Sequence, residues 1–185
     1  MLRRASRALR HDLRQAAPDA ADRAANAQIP IELTRLRTVG GYQAIGAEID
    51  PHPQLARFAS FGAIIALPVA RRRDAPLEFR RADDPETFVA DAFGILGPPP
   101  TAPRLIPDLV IVPLLAFDRR GGRLGQGAGC YDRTLWALRR QGLVFALGLA
   151  YAGQEVETAP TSPHDQALDA ILTENGYIAV LNEGT

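Results

Sequence analysis

The sequence predicts an α/β fold in a single domain spanning residues 1–185, and three short apolar segments are the main evidence. Residues 62–69, 109–113 and 143–150 are continuous apolar runs next to glycine or proline, a pattern typical of strands buried on both faces of a sheet. Between the last two runs lie a glycine-rich loop and a segment with helical periodicity. This order of strand, loop, helix and strand describes a βαβ unit. A chain of 185 residues is long enough for one such core.

The N-terminal segments are predicted to be helical. Residues 5–17 place Leu9 and Leu13 four apart among arginines, the spacing of a helix with one apolar stripe, and Pro18 ends it. A second helix is expected over about 19–28. The Arg/Ala/Ser bias of this basic terminus is shared by mitochondrial presequences, which remain an alternative interpretation.

Between residues 36 and 81 the patterns that predict secondary structure are weak in some segments and clear in others. Residues 36–45 are compatible with a strand but weakly patterned, and a helix is expected to begin near Pro51 and stop at Gly62. After the first buried strand, residues 70–81 predict a charged loop that leads into a short strand around 77–80.

Four further elements complete the prediction. Residues 84–93 favour a helix with Asp84 as its cap, and the proline-rich segment 97–103 is predicted to be a surface connector. Residues 131–142 predict a helix after the glycine loop. Two short strand-like pieces close the chain, AILT and YIAVL, with an Asn-Gly pair between them that favours a tight turn.

Composition excludes several classes of function. The single cysteine, Cys130, rules out an internal disulfide and a metal site built from several thiolates, which suits a reducing compartment and predicts a cytoplasmic location. No apolar run approaches the roughly 20 residues of a membrane helix. The net charge of zero and the lack of a basic block argue against nucleic acid as a partner. We therefore expect a soluble monomer that acts on small molecules.

The basic residues limit how the chain can bind phosphate. All 21 are arginine, so no lysine is available for Schiff-base chemistry or for the phosphate contact that a P-loop lysine makes. A phosphate would have to be bound by arginine, by backbone N–H groups or by a metal ion.

The stretch RLGQGAGCYDR, from Arg123 to Arg133, carries the clearest chemical signal. Its alternating glycines allow a ligand to approach the backbone closely, and the start of the following helix offers unpaired N–H groups to an anion. Arg123 and Arg133 could add cationic charge, and Asp132 is placed to bind a divalent cation. A tight connection without a ligand is the alternative for this spacing. The G-x-G-x-G pattern also differs from the dinucleotide-binding fingerprint G-x-G-x-x-G.

The longer run DLVIVPLLAFDRRGGRLGQGAGCYDRTL resembles the signature of the 5-formyltetrahydrofolate cyclo-ligase family. Three further segments resemble the same family in the same order: SRALRHDLR, GAEIDPHPQLARFASFGAIIALPV and LGLAYAGQEVETAPTSPHDQALDAILTE. The resemblance implies a doubly wound, mostly parallel sheet with helices on both faces. It also implies an enzyme that uses ATP as co-substrate and Mg²⁺ to convert 5-formyltetrahydrofolate into 5,10-methenyltetrahydrofolate.

Matched position by position, the resemblance implies a set of site residues. Those implied to bind ATP are Ser6, Arg7, Arg10, Arg123, Gly125, Gly127, Gly129 and Tyr131. Those implied to contact the folate are Glu48, Gln126, Gly127, Ala128, Gly129 and Cys130. Asp132 and Asp165 would hold Mg²⁺, and the implied catalytic residues are Arg123, Tyr131 and Asp132.

Two departures from the family pattern concern the site itself. Ser6 stands where the family has an ATP-contacting lysine, so Arg7, Arg3 or Arg4 would have to supply that charge. Cys130 replaces a tyrosine, which removes an aromatic wall, and its position at a helix N-terminus among arginines predicts thiolate character.

These departures leave alternatives open. A non-catalytic nucleotide-binding or folate-binding relative would keep the glycine loop without turnover. A sugar-phosphate isomerase or acyl-CoA transferase of related fold is the other alternative. For single residues, Asp132 could be only a charge in the first turn of its helix, Asp165 a turn or capping residue, and Arg10 part of a solvated face.

Overall fold

A computed structural model describes residues 1–180. The helices are α1 (Leu2–Ala16), α2 (Ala20–Asn26), α3 (His52–Ser60) and α4 (Cys130–Arg139). The strands are β1 (Thr38–Gly40), β2 (Ile64–Val69), β3 (Glu78–Arg81), β4 (Val89–Ala90), β5 (Leu96–Gly97), β6 (Arg104–Leu105), β7 (Leu109–Pro113), β8 (Ala116–Phe117), β9 (Arg123–Leu124), β10 (Phe145–Leu149), β11 (Ala170–Thr173) and β12 (Gly176–Ala179).

Eight of these strands form one sheet in the order β12-β11-β10-β7-β1-β2-β3-β6. The central strands β11, β10, β7, β1 and β2 run parallel, whereas β12 at one edge and β3 and β6 at the other are joined by antiparallel pairing. The prediction of a mostly parallel sheet is therefore confirmed. The strands β4–β5 and β8–β9 form two small antiparallel ribbons outside it.

Helices cover both faces of the sheet, as a doubly wound fold requires. Successive residues of β7 point to opposite faces. Ile111 shares a buried apolar cluster with Phe58 of α3, and side chains of α1 and α2 pack on the same side. Val112 belongs to a second cluster with Leu135 of α4. Burial on both faces explains why β7 and β10 appear in the sequence as continuous apolar runs.

Most of the predicted elements are confirmed, with ends shifted by a few residues. The helices expected over 5–17, 19–28, 51–62 and 131–142 correspond to α1–α4. Only the centre of the weak segment 36–45 forms a strand. At the C-terminus, β11 and β12 form the expected hairpin, and the final leucine of the predicted second piece lies outside the described residues.

The helix predicted over 84–93 is wrong. Asp84 does accept a hydrogen bond from the backbone N–H of Glu86, as a cap would, but the turn that it begins is a 3-10 turn ending at Thr87. The chain then extends into β4, which pairs with β5. Pairing with a partner strand outcompetes the helical preference of this short segment.

Across residues 1–180, no helix combines the length and the apolar character that crossing a membrane requires.

Candidate active site

A cavity of about 310 Å³ opens where the central parallel strands end. Pro113 at the end of β7, Pro68 near the end of β2 and Tyr42 just after β1 all line it. The carboxyl ends of parallel strands meet at one edge of a sheet, and ligands of open α/β proteins bind at that edge. The cavity is large enough for part of a small-molecule ligand.

The glycine loop forms one wall of this cavity. Gly127 and Gly129 both have positive φ, 106° and 65°, a conformation that other residues rarely adopt. A side chain at Gly129 would also approach Nη1 of Arg133 to 2.9 Å. Because Gly129 precedes α4 and has no side chain to cap it, the first N–H groups of α4 remain available to an anion.

Arg123, which is buried, and Asp132, which is partly exposed, form an ion pair beside the loop. Nη2 of Arg123 donates to Oδ1 of Asp132, and Nη1 donates to the carbonyl of Gln166. The same Oδ1 atom accepts the backbone N–H of Gln166 at 3.0 Å. Burial lowers the pKa of Arg123, although the nearby carboxylate of Asp132 opposes that shift. The pair places one fixed positive and one fixed negative charge at the cavity.

Asp165 lies at the same cavity but also closes a turn. Its carboxylate accepts hydrogen bonds from the backbone N–H of Ser162 at 2.8 Å and from its hydroxyl at 3.0 Å. Asp132 uses only Oδ1 for its own bonds, so Oδ2 is the atom that could bind a cation. No cluster of three or more His, Cys, Asp or Glu side chains suited to a metal occurs within residues 1–180. Asp132 and Asp165 both line the cavity. Their oxygen ligands are of the kind that Mg²⁺ takes, commonly one or two carboxylates together with phosphates of a substrate.

Glu48 enters the cavity from the loop after β1. Its Oε2 atom accepts the backbone N–H of Ile45 at 3.0 Å. Its Oε1 atom accepts Nη1 of Arg10 and Nε2 of Gln126, both at 3.4 Å. The residue is 7% exposed, and these three hydrogen bonds hold its carboxylate in place.

The N-terminal helix was expected to bring Ser6, Arg7 and Arg10 to an ATP site, but it brings a different residue to the cavity. The described residues that line the cavity do not include Ser6, Arg7 or Arg10. Ser6 is buried and its hydroxyl donates to the carbonyl of Leu2 one turn earlier, so it offers nothing to a phosphate. Arg7 donates from Nε to Oε1 of Gln126 at 2.9 Å. Arg3 does line the cavity, and its Nε donates to the carbonyl of Gly125 at 3.1 Å.

The remaining residues implied by the resemblance lie around the same space: Gly125, Gln126, Gly127, Ala128, Gly129, Cys130 and Tyr131. The expected thiolate character of Cys130 is wrong, because burial raises the pKa of its thiol despite the opposing charge of Arg133. Arg133 itself donates to the carbonyls of Ala128 and Arg73, so it braces the loop. Burial, with a smaller contribution from Glu48, raises the pKa of Tyr131.

An apolar wall of the cavity was missed in the sequence. Ile45, Leu77, Phe93 and Ile95 line it. They come from three separate loops, so no periodic pattern links them. Because residues 84–93 were predicted to form a helix, the loop that carries Phe93 was not recognised as part of the site.

Comparison with known proteins places this architecture in one family. Residues 1–174 match the model of the 5-formyltetrahydrofolate cyclo-ligase family. The 5-formyltetrahydrofolate cyclo-ligase of Mycolicibacterium smegmatis is 37% identical over 156 residues, covering 78% of this chain and 77% of that protein. The enzyme of the same name from Escherichia coli K12 is 32% identical over 143 residues, covering 74% and 77%.

Two solved structures share the fold. The NMR structure of Aquifex aeolicus 5,10-methenyltetrahydrofolate synthetase superposes with a TM-score of 0.74 at 24% identity, over 100% of this chain and 96% of that chain. The 5,10-methenyltetrahydrofolate synthetase of Mycoplasma pneumoniae superposes with a TM-score of 0.64 at 19% identity, over 91% and 98%. With the family model matching nearly the whole chain, this protein belongs to the 5-formyltetrahydrofolate cyclo-ligase family of enzymes.

Proposed function

We propose that this protein converts 5-formyltetrahydrofolate into 5,10-methenyltetrahydrofolate, using ATP and Mg²⁺ and releasing ADP and phosphate. The observation that carries the proposal is the Arg123–Asp132 ion pair, which faces the same cavity as the glycine loop and Glu48. Phosphate-binding groups and a separate carboxylate for a second ligand therefore share one space.

The reaction must replace a poor leaving group with a good one. The formyl oxygen attacks the γ-phosphorus of ATP, ADP leaves, and the oxygen becomes a phosphate ester. N10 of the folate then attacks the activated carbon to close the ring, its proton passes to the departing phosphate or to water, and phosphate leaves with the former formyl oxygen. Such a reaction needs alignment and neutralisation of charge, and it needs no nucleophile from the protein.

The glycine-loop wall supplies what the nucleotide requires. We assign the phosphates to the backbone N–H groups of Gly125, Gly127 and Gly129, to the N-terminus of α4 and to Arg123. Arg3 is the α1 cation that both bonds this loop and lines the cavity, and we assign to it the charge of the family lysine that Ser6 replaces.

The metal assignment rests on two carboxylates. Asp132 and Asp165 would hold Mg²⁺, which when bound neutralises charge on the phosphates. Arg123 holds Asp132 in position through their ion pair, and the turn at Ser162 does the same for Asp165. Tyr131 is assigned to the nucleotide side, where its raised pKa keeps the phenol protonated and able to donate a hydrogen bond.

The other half of the cavity suits a folate. A pterin carries several N–H donors on a flat ring, and Glu48 offers a fixed acceptor while Phe93 and Ile95 offer apolar surface. Gln126 and Cys130 also line the cavity, and we assign to them the place where the formyl group would meet the γ-phosphate.

The test is a direct assay of the purified protein. With ATP, Mg²⁺ and 5-formyltetrahydrofolate, we expect the absorbance of the methenyl product to rise and ADP to appear in equal amount. Omitting each component in turn should stop both signals. Binding of ATP without folate-dependent release of ADP would contradict the proposal and would support a non-catalytic relative.

A further inference from the structure

The segment that carries Asp165 depends on other elements for its position. Residues 160–169, all within the described part of the chain, form neither helix nor strand. The residue after Asp165 is bonded to the charged pair of the cavity. The N–H of Gln166 donates to Oδ1 of Asp132 at 3.0 Å, and its carbonyl accepts Nη1 of Arg123. The peptide bond from Asp165 to Gln166 therefore links the two carboxylates that we assign to Mg²⁺.

Arg139, at the end of α4, holds the same segment. Its Nη1 atom donates to Oε1 of Gln166 at 3.2 Å. Its Nη2 atom donates to the carbonyl of Ala167 at 2.9 Å and to Oδ2 of Asp169 at 3.0 Å. Asp169 is itself anchored to β10, because its Oδ2 atom accepts the backbone N–H of Ala146 at 2.7 Å. One guanidinium therefore ties three residues of the segment to α4, a task suited to its rigid fork of donors.

Arg139 and Asp132 hold Gln166 from one side of α4. They are seven residues apart, close to two helical turns, so their side chains lie along the same face. Asp132 bonds the backbone of Gln166, and Arg139 bonds its side chain. The described residues that line the cavity include Asp132 and Asp165 but neither Arg139 nor Gln166. An effect of Arg139 on the cavity would therefore pass through Gln166.

We infer that Arg139 is a positioning residue for the metal site, which sets where Asp165 lies relative to Asp132 by holding Gln166 and its neighbours against α4. The inference rests on the proposed function, because it takes Mg²⁺ as the ligand that the two carboxylates share. Removing the hydrogen-bond partners behind metal ligands typically lowers metal affinity or activity by about 10-fold to 100-fold. Arg139 acts through one further residue, so its effect should lie near the lower end of that range.

The test compares two neighbouring arginines. Arg139→Met removes the contacts, and Arg140→Met is the matched control, because Arg140 follows directly, is exposed and lies 4.7 Å over the ring of Trp136. Initial rates over a titration of free Mg²⁺ give the concentration for half-maximal rate. ATP affinity is measured at equilibrium without folate, once at a limiting concentration of free Mg²⁺ and once in EDTA.

We expect Arg139→Met to raise the half-saturating Mg²⁺ concentration by about 10-fold, with the rate largely recovered at saturating Mg²⁺. ATP binding should weaken at limiting Mg²⁺ and match the parent protein within about twofold in EDTA. Arg140→Met should change none of these quantities. A general loss of structure would weaken ATP binding in EDTA as well, so the EDTA measurement separates positioning of the metal from damage to the fold.

Two results for a folded Arg139→Met variant would overturn the inference. An unchanged Mg²⁺ requirement would mean that Arg139 forms only a surface ion pair with Asp169. An equal loss of ATP affinity with and without metal would mean that Arg139 acts on the nucleotide site independently of Mg²⁺.

Gln166→Ala provides a second variant in case Arg139→Met does not fold. It removes the Oε1 acceptor of Arg139 and leaves the backbone bonds to Asp132 and Arg123 and the ion pair with Asp169. We expect the half-saturating Mg²⁺ concentration to rise by at least about threefold, and no rise would also overturn the inference. A parent protein whose ATP binding and turnover were independent of Mg²⁺ would instead overturn the proposed metal site, and this inference with it.

Discussion

The two walls of the cavity differ in both chemistry and construction. The glycine-loop wall presents backbone N–H groups and the charges of Arg123, Asp132 and Asp165. The apolar wall presents the side chains of Phe93, Ile95, Leu77 and Ile45. The first wall suits phosphates and a metal ion, and the second suits a flat ring, so a ligand on one side is recognised by charge and on the other by shape.

The walls are also stabilised in different ways. Arg123 and Asp132 are nine residues apart, and the loop between them is closed by their own ion pair. The apolar wall depends in part on Asp91, whose carboxylate accepts the backbone N–H groups of Phe93 at 2.8 Å, Ile95 at 3.0 Å and Ala70 at 3.0 Å. A contiguous motif supplies the charged wall apart from Asp165, whereas three separate loops supply the apolar one. Substitutions on the charged wall should therefore affect the requirement for ATP and Mg²⁺, and substitutions on the apolar wall the affinity for folate.

The largest effect is expected for Asp132→Asn. The amide oxygen can still accept the bonds from Arg123 and Gln166, so the fold should persist, but the charge that Mg²⁺ requires is lost. We expect the rate at low Mg²⁺ to fall by at least about 100-fold, equivalent to about 2.7 kcal/mol, and to recover partly at high Mg²⁺. Initial rates over a Mg²⁺ titration measure this.

The matched control for Asp132 is Asp74→Asn, an exposed carboxylate that also pairs with an arginine. It should leave the Mg²⁺ requirement unchanged. Full activity of Asp132→Asn at low Mg²⁺ would mean that Asp132 is only a charge in the first turn of α4.

The next largest effect should distinguish the residues that bind ATP from those that bind folate. Arg123→Ala removes a charged donor from the phosphate wall, and Glu48→Ala removes an acceptor from the folate side. Each should weaken its own ligand by about 10-fold to 150-fold and leave the other largely intact, since a hydrogen bond to a charged group contributes about 1.5–3 kcal/mol. Separate titrations of ATP and folate give four affinities to compare. Equal weakening of both ligands by both changes would contradict the division of the cavity into two halves.

The apolar wall should show a smaller, affinity-only effect. Phe93→Ala removes apolar surface from the folate side, so the folate KM should rise by about 10-fold with little change in kcat or in the ATP requirement. Phe61→Ala is the control, because each ring lies beneath an arginine, at 5.3 Å for Phe93 and 5.7 Å for Phe61. Phe61 is exposed just after the end of α3 and is not among the described residues that line the cavity. A fall in kcat for Phe93→Ala with unchanged folate KM would assign Phe93 to the chemistry.

The same contrast explains how much of the molecule could be predicted from its sequence. The buried strands, the four helices and the glycine loop were accessible because periodicity and glycine spacing are local signals. The loop residues from Arg123 to Asp132 stay together in space because they are adjacent in the chain. The position of Ser6 and Arg10 relative to the cavity depends on how α1 packs, and a single sequence contains no direct signal for that.

The error over residues 84–93 has a different origin. The Asp-Pro-Glu start is a valid capping signal, and Asp84 does make the capping bond. The chain nevertheless leaves the 3-10 turn after Thr87, because β4 pairs with β5 and Asp91 organises the turn between them. Both features are local to residues 89–97, where a hairpin competes with the helical pattern, and they determine where Phe93 lies.

The smallest expected effect concerns Cys130, which lies on the charged wall without carrying a charge. Burial raises the pKa of its thiol, so the reactive thiolate fraction is low at neutral pH and rises as the pH increases. Alkylation by iodoacetamide should therefore be slower in the folded protein than in denaturant at pH 7, and its rate should still be rising at a pH where an ordinary thiol has reached its plateau. Bound ATP and folate should slow it further, because the side chain lines the cavity they would fill. Alkylation in the folded protein that matched the denatured rate at every pH, and that ligands did not slow, would place Cys130 outside the occupied site and leave the charged wall to the glycines, Arg123 and Asp132.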